Sequence, residues 1–293
     1  MFEGVYTALI TPFTGDGVDW EALERHIENQ IQGGVDGVVP MGTTGESPTL
    51  SFQEHEEFIH RVVKIVNGRI KVIAGTGANS TKEAIWLTKG AMEAGVDAVL
   101  SVNPYYNKPT QRGLIEHYVS IDRACNIPVI LYNIPGRSGV NFLPESVKEL
   151  LDRTEHVVAM KEASGDIAQM MKLIELCGNR LTVLSGDDNL LLPLLGVGGK
   201  GVISVLSNLL PADMKRVVSL FNEGRIAECR ELFYRLLPLC RAMFLETNPI
   251  PIKAAMEMTG LCSGELRLPM TSLSDSNREI LKQRLLEYGV KLK

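Results

Sequence analysis

Eight short apolar segments separated by helical patterns are the feature that most constrains how this chain can fold. Each segment is bounded by turn-forming residues, and its apolar residues run on without the alternation of a half-exposed strand. Such continuous runs are typical of parallel strands that are covered on both faces. The segments cover residues 5–10, 37–41, 72–75, 98–102, 129–132, 157–161, 182–185 and 201–204. We therefore expect eight parallel strands.

The segments between these runs have helical periodicity and residues that can begin a helix. Asp19, Ser51, Ser80 and Thr110 are each placed as an N-cap, whose side-chain oxygen accepts a hydrogen bond from the first turn. The helical patterns in this part of the chain cover residues 20–32, 52–67, 81–94, 113–125 and 144–153. Eight strand–helix units in 293 residues favour the α/β class and a closed (β/α)8 TIM barrel over an open doubly wound sheet.

The carboxyl-terminal part of the chain differs, because its strand signals stop at about residue 211 while its helical patterns continue. We predict a catalytic barrel over residues 1–210, whose last helix can extend to about residue 224, and a helical appendix over residues 225–293. No linker rich in Pro, Ser or Gly divides the chain before about residue 205.

Composition and charge exclude several classes of protein. The net charge of -5, without a basic cluster, argues against a nucleic-acid partner. The first residues do not resemble a signal peptide, and no apolar stretch approaches the length of a bilayer span, so we expect a cytoplasmic protein with no membrane partner. The five cysteines are odd in number and scattered, which argues against a disulfide framework or a zinc site.

Lys161 closes the apolar run at residues 157–161 and is the first candidate for chemistry. A lysine stem that is packed among apolar neighbours disfavours the ammonium form, and a neutral amine can attack a carbonyl. The alternative is that the side chain of Lys161 extends from the strand end and places its ammonium group in solvent. Lys161 is distinguished from the other lysines because it alone closes an apolar strand, whereas Lys253, for example, lies in a helical pattern.

Further polar residues follow other strands, at the end of a barrel where catalytic side chains lie. Residues 42–47, Gly-Thr-Thr-Gly-Glu-Ser, offer hydroxyls and backbone N–H groups that can hold a carboxylate. Tyr132 can relay protons, although a core tyrosine bonded to a carbonyl is the alternative. Arg137 can clamp a carboxylate with two hydrogen bonds, and the alternative is an exposed loop arginine.

Several motifs that would indicate a cofactor or a metal are incomplete. Residues 75–80 break the dinucleotide fingerprint because Ser80 replaces its third glycine, and the glycine-rich residues 196–201 precede a strand instead of opening a helix. His55 and His60 are five residues apart and miss the spacing of a helical metal pair. We expect neither a cofactor nor a catalytic metal.

Taken together, these motifs resemble the dihydrodipicolinate synthase family, one of the pyruvate-dependent aldolases to which N-acetylneuraminate lyase also belongs. The motifs that carry the resemblance lie at residues 42–47, 105–107, 132–139 and 161–166, with further matches at 184–188, 198–204 and 248–253. The resemblance covers essentially the whole chain. It implies that pyruvate forms a Schiff base with Lys161, and that the enamine attacks L-aspartate 4-semialdehyde to give 4-hydroxy-tetrahydrodipicolinate in lysine and diaminopimelate biosynthesis.

The resemblance also implies roles for the other site residues. The implied catalytic residues are Lys161, Tyr132, Thr43 and Tyr106, the last three as a proton relay in which Tyr106 comes from a neighbouring subunit. The implied substrate-binding residues are Thr44, Arg137, Ile203 and Gly186. Within this set, Thr43 and Thr44 would bind the carboxylate of pyruvate, and Arg137 would meet the carboxylate of the semialdehyde.

Arg137 also separates this interpretation from related activities. The sialic-acid lyases lack an arginine at this position and generally read Gly-Ser-Thr-Gly-Glu where this chain has Gly-Thr-Thr-Gly-Glu at residues 42–46. A sugar-acid aldolase that cleaves N-acetylneuraminate or 2-keto-3-deoxygluconate is the alternative enzyme. A barrel that only senses a small molecule is the alternative outside enzymes.

The resemblance gives two expectations about assembly and regulation. The family usually forms homotetramers, as dimers of tight dimers, and in lysine-inhibited members L-lysine binds at a subunit interface. The corresponding positions of this chain are Ser47, Pro48, His55, Asn79, Glu83 and Tyr105. Phe52 stands where some sensitive enzymes have histidine, so both an inhibited and an uninhibited enzyme remain open.

Overall fold

The structure is a computed structural model that describes residues 2–15 and 17–293. Eight parallel strands form a closed barrel in the order β1-β10-β9-β8-β7-β6-β5-β4, and the short strands β2 and β3 pair as a separate antiparallel sheet. The strands are β1 (Gly4–Ala8), β2 (Phe13–Thr14), β3 (Gly17–Val18), β4 (Gly37–Val39), β5 (Lys71–Gly75), β6 (Ala98–Val102), β7 (Val129–Asn133), β8 (Val157–Glu162), β9 (Thr182–Ser185) and β10 (Gly201–Ser204). The predicted TIM barrel is confirmed.

Helices alternate with the barrel strands and continue alone after β10. The α-helices are α1 (Trp20–Gln32), α2 (Phe52–Val66), α3 (Thr81–Ala94), α4 (Gln111–Ala124), α5 (Pro135–Ser138), α6 (Pro144–Leu151), α7 (Ile167–Cys177), α8 (Leu191–Gly196), α9 (Pro211–Asn222), α10 (Ile226–Ala242), α11 (Ile250–Met258) and α12 (Asp275–Tyr288). Within the described ranges, no helix is both long and apolar enough to span a membrane. The division into a barrel and a helical appendix stays a prediction.

The caps explain why several helices begin where they do. Asp19, Ser51 and Thr110 each accept a hydrogen bond from a backbone N–H of the first helical turn, as predicted. Ser51 also completes a capping box with Glu54. Ser80 occupies the N-cap position of α3, but its side chain makes no capping hydrogen bond. A capping side chain contributes about 1 kcal/mol to helix stability.

Burial of the strands accounts for their continuous apolar sequences. The strands β1, β4, β7 and β10 are buried at every residue. A strand that is covered on both faces has no side for polar alternation, which is why the sequence shows unbroken apolar runs.

The contacts of the chain group into two compact units. One unit comprises Lys71–Ile203 with the start of the chain as far as Gly4, and the other comprises Val5–Ile70 and Ser204–Lys293. In the first unit, β7 pairs with β8 so that Tyr132 lies beside Lys161 and Asn133 beside Glu162. In the second unit, α10 packs against α9 and α12, and α11 also packs against α12.

Candidate active site

Lys161 and Tyr132 lie side by side on neighbouring strands of the first unit. Lys161 is 6% exposed and Tyr132 is 5% exposed. The Nζ atom of Lys161 lies 4.2 Å from the centroid of the Tyr132 ring. Within the described part of the chain, Lys161 lies within 4.0 Å of no carboxylate oxygen, although its charge acts on Asp187. The predicted nucleophile and the predicted proton carrier are therefore brought together in a buried position.

Gly186 follows β9 and lies against the stem of Lys161. Its N–H donates a hydrogen bond of 2.8 Å to the carbonyl of Glu162. A Cβ atom at position 186 would lie 3.1 Å from the Cε of Lys161 and 2.5 Å from the Cβ of Ala163. Any larger residue would have to displace these side chains, so glycine at this position keeps room beside the lysine.

Asp187 brings a carboxyl group into the electrostatic field of Lys161. Burial raises the pKa of Asp187, and the positive charge of Lys161 opposes that rise. Its backbone is fixed by Ser185, whose hydroxyl donates to the Asp187 carbonyl at 2.7 Å. Asp187 could not be identified as a site residue from the sequence, because its position near Lys161 depends on how the ends of β8 and β9 lie together.

Glu162 is a buried carboxylate that the sequence analysis did not single out. It accepts hydrogen bonds from the backbone N–H of Ser164 at 2.7 Å, from Nδ2 of Asn133 at 3.0 Å and from Nε2 of Gln169 at 3.2 Å. Burial raises the pKa of Glu162, and the hydrogen bonds from Ser164, Asn133 and Gln169 oppose that rise. The signal in the sequence was a charged residue that directly follows Lys161.

The same network holds the segment that follows Arg137. Asn133 Oδ1 accepts a hydrogen bond of 3.0 Å from the backbone N–H of Phe142, and Asn133 Nδ2 donates to Oδ1 of Asn141 at 2.7 Å. Arg137 lies in the last turn of α5, where its side chain is exposed. Its backbone N–H donates to the carbonyl of Ile134 at 3.0 Å. The segment that carries Arg137 is therefore held by hydrogen bonds on both sides of α5.

Ile203 and Tyr106 complete the predicted residues of this unit and have opposite environments. Ile203 is buried on β10, where the neighbouring Val202 pairs with Ser185 of β9. Tyr106 is 90% exposed and has a left-handed backbone with φ of 71°. Among the described residues, no hydrogen bond or ring contact joins Tyr106 to Lys161 or Tyr132.

Thr43 and Thr44 belong to the other compact unit, in the turn that follows β4. The turn is closed by backbone hydrogen bonds from Gly45 N–H to the Gly42 carbonyl and from Glu46 N–H to the Thr43 carbonyl, both 3.1 Å. Thr43 is partly exposed, whereas Thr44 is buried and accepts a hydrogen bond of 3.0 Å from Nδ2 of Asn248. The tight turn thus leaves Thr43 partly exposed and keeps Thr44 buried in a hydrogen bond with Asn248.

The positions predicted to bind L-lysine fall in both units. In the first unit, the side chain of Asn107 donates to the Asn79 carbonyl and its backbone N–H donates to the Tyr105 carbonyl, both at 2.9 Å. Burial raises the pKa of Tyr105, with a further contribution from the negative charge of Glu83. The structure thus groups Asn79, Glu83 and Tyr105. In the second unit, His55 is buried, Ser47 is half-buried and Pro48 is exposed.

The barrel and the buried lysine–tyrosine pair at neighbouring strand ends define the class of protein that we expected, a barrel enzyme that can use an amine on a carbonyl substrate. The chain matches the dihydrodipicolinate synthetase family over residues 1–287. It belongs to this family.

Individual relatives agree over nearly the whole chain. The 4-hydroxy-tetrahydrodipicolinate synthase of Leptospira biflexa serovar Patoc is 56% identical over 275 residues, which cover 94% of this chain and 93% of that protein. The chloride-inhibited dihydrodipicolinate synthase of Acinetobacter baumannii, solved in complex with pyruvate, is 41% identical with a TM-score of 0.96, covering 99% of this chain and 100% of that one. The enzyme of Cyanidioschyzon merolae with lysine bound is 39% identical with a TM-score of 0.96, covering 99% of each chain.

These similarities confirm the predicted activity of a 4-hydroxy-tetrahydrodipicolinate synthase, a pyruvate-dependent lyase. They favour it over a sugar-acid aldolase and over a barrel that only senses a small molecule.

Proposed function

We propose that this enzyme joins pyruvate to L-aspartate 4-semialdehyde through a Schiff base on Lys161. The observation that carries the proposal is the burial of Lys161 with its Nζ atom 4.2 Å from the centroid of the Tyr132 ring. A buried amine beside a phenol can attack a carbonyl carbon and form an imine, with the phenol placed to move protons. The pyruvate complex of the Acinetobacter baumannii relative is consistent with this substrate.

The chemistry follows from the properties of an imine. The amine of Lys161 attacks the keto carbon of pyruvate, and loss of water leaves a protonated imine that withdraws electrons from the methyl group. Loss of a methyl proton gives an enamine, whose carbon attacks the aldehyde of the second substrate and forms the new carbon–carbon bond. The amino group of that substrate then attacks the imine carbon, which closes the ring and releases Lys161.

The proton transfers in this series of reaction steps are assigned to Tyr132, Thr43 and Tyr106. A phenol within reach of the lysine can give a proton to the leaving hydroxyl and take one back. Tyr106 is 90% exposed, which supports a role in the active site of a second copy of the chain. We accordingly propose a homo-oligomer, a tetramer made of two tight dimers, in which each tyrosine serves its neighbour.

Substrate carboxylates are assigned to two different groups of residues. Thr43 and Thr44 bind the carboxylate of pyruvate, because a tight turn with two hydroxyls and several N–H groups suits an anion. Arg137 binds the carboxylate of the semialdehyde, since its guanidinium is exposed on α5, next to the segment that the Asn133 network holds. Gly186 leaves room beside Lys161, and the Ile203 carbonyl faces the bound substrate.

Regulation by L-lysine is part of the proposal. The grouping of Asn79, Glu83 and Tyr105 supports it, as does the relative from Cyanidioschyzon merolae that was solved with lysine bound. The cytoplasmic location stays a prediction from the sequence.

Borohydride trapping tests the proposed intermediate. After incubation with pyruvate and reduction, peptide mass mapping should find the adduct on Lys161. Lys253 is a control within the same chain, because it is also buried but is paired with Glu46 and should stay unmodified. Full activity of Lys161→Ala, or an adduct on another lysine, would overturn the assignment.

A further inference from the structure

The turn that carries Thr43 and Thr44 is anchored by residues more than two hundred positions further along the chain. The side chain of Asn248 donates its hydrogen bond to Thr44 across 204 residues of sequence. The Nζ atom of Lys253 lies 2.6 Å from Oε1 of Glu46, and the two side chains are 0% and 1% exposed. These contacts join α11, and Asn248 two residues before it, to a single six-residue turn.

The second oxygen of Glu46 is also occupied. It accepts a hydrogen bond of 3.1 Å from the backbone N–H of Arg267, whose guanidinium forms an ion pair of 2.6 Å with Glu54. Lys253 in turn donates to the carbonyl of Glu265 at 2.5 Å and lies 4.1 Å from the centroid of the Phe13 ring. Both partners of the buried ion pair are thus held from several directions, which fixes the geometry of the pair.

The backbone of the turn needs such support. Met41 and Glu46 both have left-handed backbones, with φ of 58° and 56°. This conformation is unfavourable for residues that carry a Cβ atom, and it persists where the surroundings impose it. At Gly45, a Cβ atom would lie 3.1 Å from the carbonyl oxygen of Leu9. The turn is therefore a strained segment whose shape depends on its anchors.

Hydrogen bonding gives Asn248 a direct effect on the chemistry of Thr44. A threonine hydroxyl can accept one hydrogen bond and still donate its own proton. Because Asn248 donates to Thr44 Oγ1, the Thr44 proton remains available to an acceptor such as a substrate carboxylate.

We propose that Glu46, Lys253 and Asn248 are positioning residues that shape the Thr43–Thr44 turn for pyruvate, and that α11 serves the active site through them. This inference rests on the proposed binding of pyruvate by the two threonines. The segment at residues 248–253, which the sequence analysis identified only as a family motif, thereby gains a role.

The competing explanation is that the ion pair only stabilises the fold. The two explanations predict different behaviour for a double variant that lacks both charges. Loss of one partner leaves a buried charge without its counterpart and destabilises strongly, whereas loss of both charges restores much of the stability. A positioning role predicts that the double variant regains stability without regaining the shape of the turn.

The experiment compares Lys253→Met, Glu46→Gln and the double variant with Glu257→Gln as control. Glu257 lies on the same helix in an exposed ion pair of 2.8 Å with Arg278. Thermal unfolding and the pyruvate concentration for half-maximal borohydride trapping are measured for each. We expect the double variant to unfold near the wild-type temperature but to need on the order of tenfold more pyruvate. The KM for the semialdehyde should change little.

Each outcome decides between the explanations. Recovery of both stability and pyruvate dependence in the double variant would leave the pair a purely structural role and overturn the inference. If the charge variants do not fold, Asn248→Ala decides, since it introduces no unpaired charge and should itself raise the pyruvate requirement. Unchanged trapping in that variant overturns the inference. If wild type and Glu257→Gln are not trapped on Lys161, the proposed function fails instead.

Discussion

The carboxylate of Glu162 accepts a hydrogen bond of 3.0 Å from the amide of Asn133, one residue beyond the neighbouring pair of Lys161 and Tyr132. Successive side chains of a strand point to opposite faces, so Lys161 and Glu162 extend to opposite sides of β8. The buried network around Glu162 therefore holds the strand ends from the face that Lys161 does not occupy.

We expect Glu162→Gln to weaken catalysis as well as folding. The new NH2 group would face the amides of Asn133 and Gln169, which are themselves donors, and at least one hydrogen bond would be lost. A loss of about 1 to 3 kcal/mol in the free energy of unfolding is expected from urea denaturation. The turnover number should fall by roughly tenfold, as Lys161 and Tyr132 shift.

Glu175→Gln is the matched control for that prediction. Glu175 lies on the same α7 as Gln169, but it is exposed and pairs with Lys172 at 3.0 Å. Its substitution should change stability by less than about 0.5 kcal/mol. Wild-type turnover in Glu162→Gln would show that the network has no influence on the lysine.

The strands could be predicted from the sequence because their signal is local. The bounds of β6, β9 and β10 agree with the predicted runs. The run at residues 37–41 is too long, since β4 ends at Val39 and Met41 has a left-handed backbone that cannot continue a strand. The strands β7 and β8 extend one residue further than predicted, because their last residues are polar groups that are satisfied inside the structure.

The buried position of Lys253 and its contact with Glu46 could not be predicted from the sequence. Lys161 stands out in the sequence and Lys253 lies in an ordinary helical pattern, yet Lys253 is the more deeply buried of the two. Its partner Glu46 is 207 residues away in the sequence. Contacts of that range leave no trace in periodicity or spacing, whereas a lysine at the end of an apolar strand is visible locally.

Arg137 should matter for the semialdehyde more than for pyruvate. In Arg137→Ala, the specificity constant for the semialdehyde should fall by on the order of tenfold or more, since a charged hydrogen bond contributes about 1.5 to 3 kcal/mol. Trapping of pyruvate on Lys161 should largely persist. Arg180→Ala, which removes an exposed arginine paired with Asp152, is the control. Equal impairment of both steps would point to a structural role for Arg137.

His26 should make the fold sensitive to mild acid. It is buried in the second unit, where its Nε2 atom lies 2.9 Å from Oδ1 of Asn208. Burial lowers the pKa of His26 from 6.5 to about 4, and the hydrogen bond with Asn208 partly opposes this. A folded-state pKa below the unfolded value means that the stabilisation is present above pH 6.5 and is lost as the pH falls towards 4.

The size of the acid effect can be measured against a variant. The lowered pKa of His26 corresponds to a loss of roughly 3 kcal/mol in the free energy of unfolding between pH 7 and pH 4, at about 1.4 kcal/mol per unit of pKa difference. Urea unfolding of the wild type at both pH values should show a drop of this order. His26→Gln, which does not titrate, should start less stable and show a smaller drop. The same drop in both proteins would assign the acid sensitivity to other groups.

L-lysine should inhibit the enzyme through Glu83, Asn79 and Tyr105. Glu83 would meet the ammonium groups of the effector, and Asn79 with the Tyr105 hydroxyl would hold its carboxylate. Because Tyr105 is joined to the exposed Tyr106 by one peptide bond, a ligand at this site can shift the proposed relay tyrosine. Coupling between sites is reciprocal, so pyruvate should alter the affinity for lysine by the same factor that lysine alters the affinity for pyruvate.

Calorimetric titration of lysine, with and without pyruvate, measures this coupling. Glu83→Ala should weaken lysine binding by on the order of tenfold or more, because a charge-assisted contact is lost, while activity without lysine is kept. Phe52→His, which places an additional hydrogen-bonding group at an exposed position, should strengthen binding. Absence of both binding and inhibition in the wild type at millimolar lysine, with binding gained in Phe52→His, would instead show that the phenylalanine has removed the regulation.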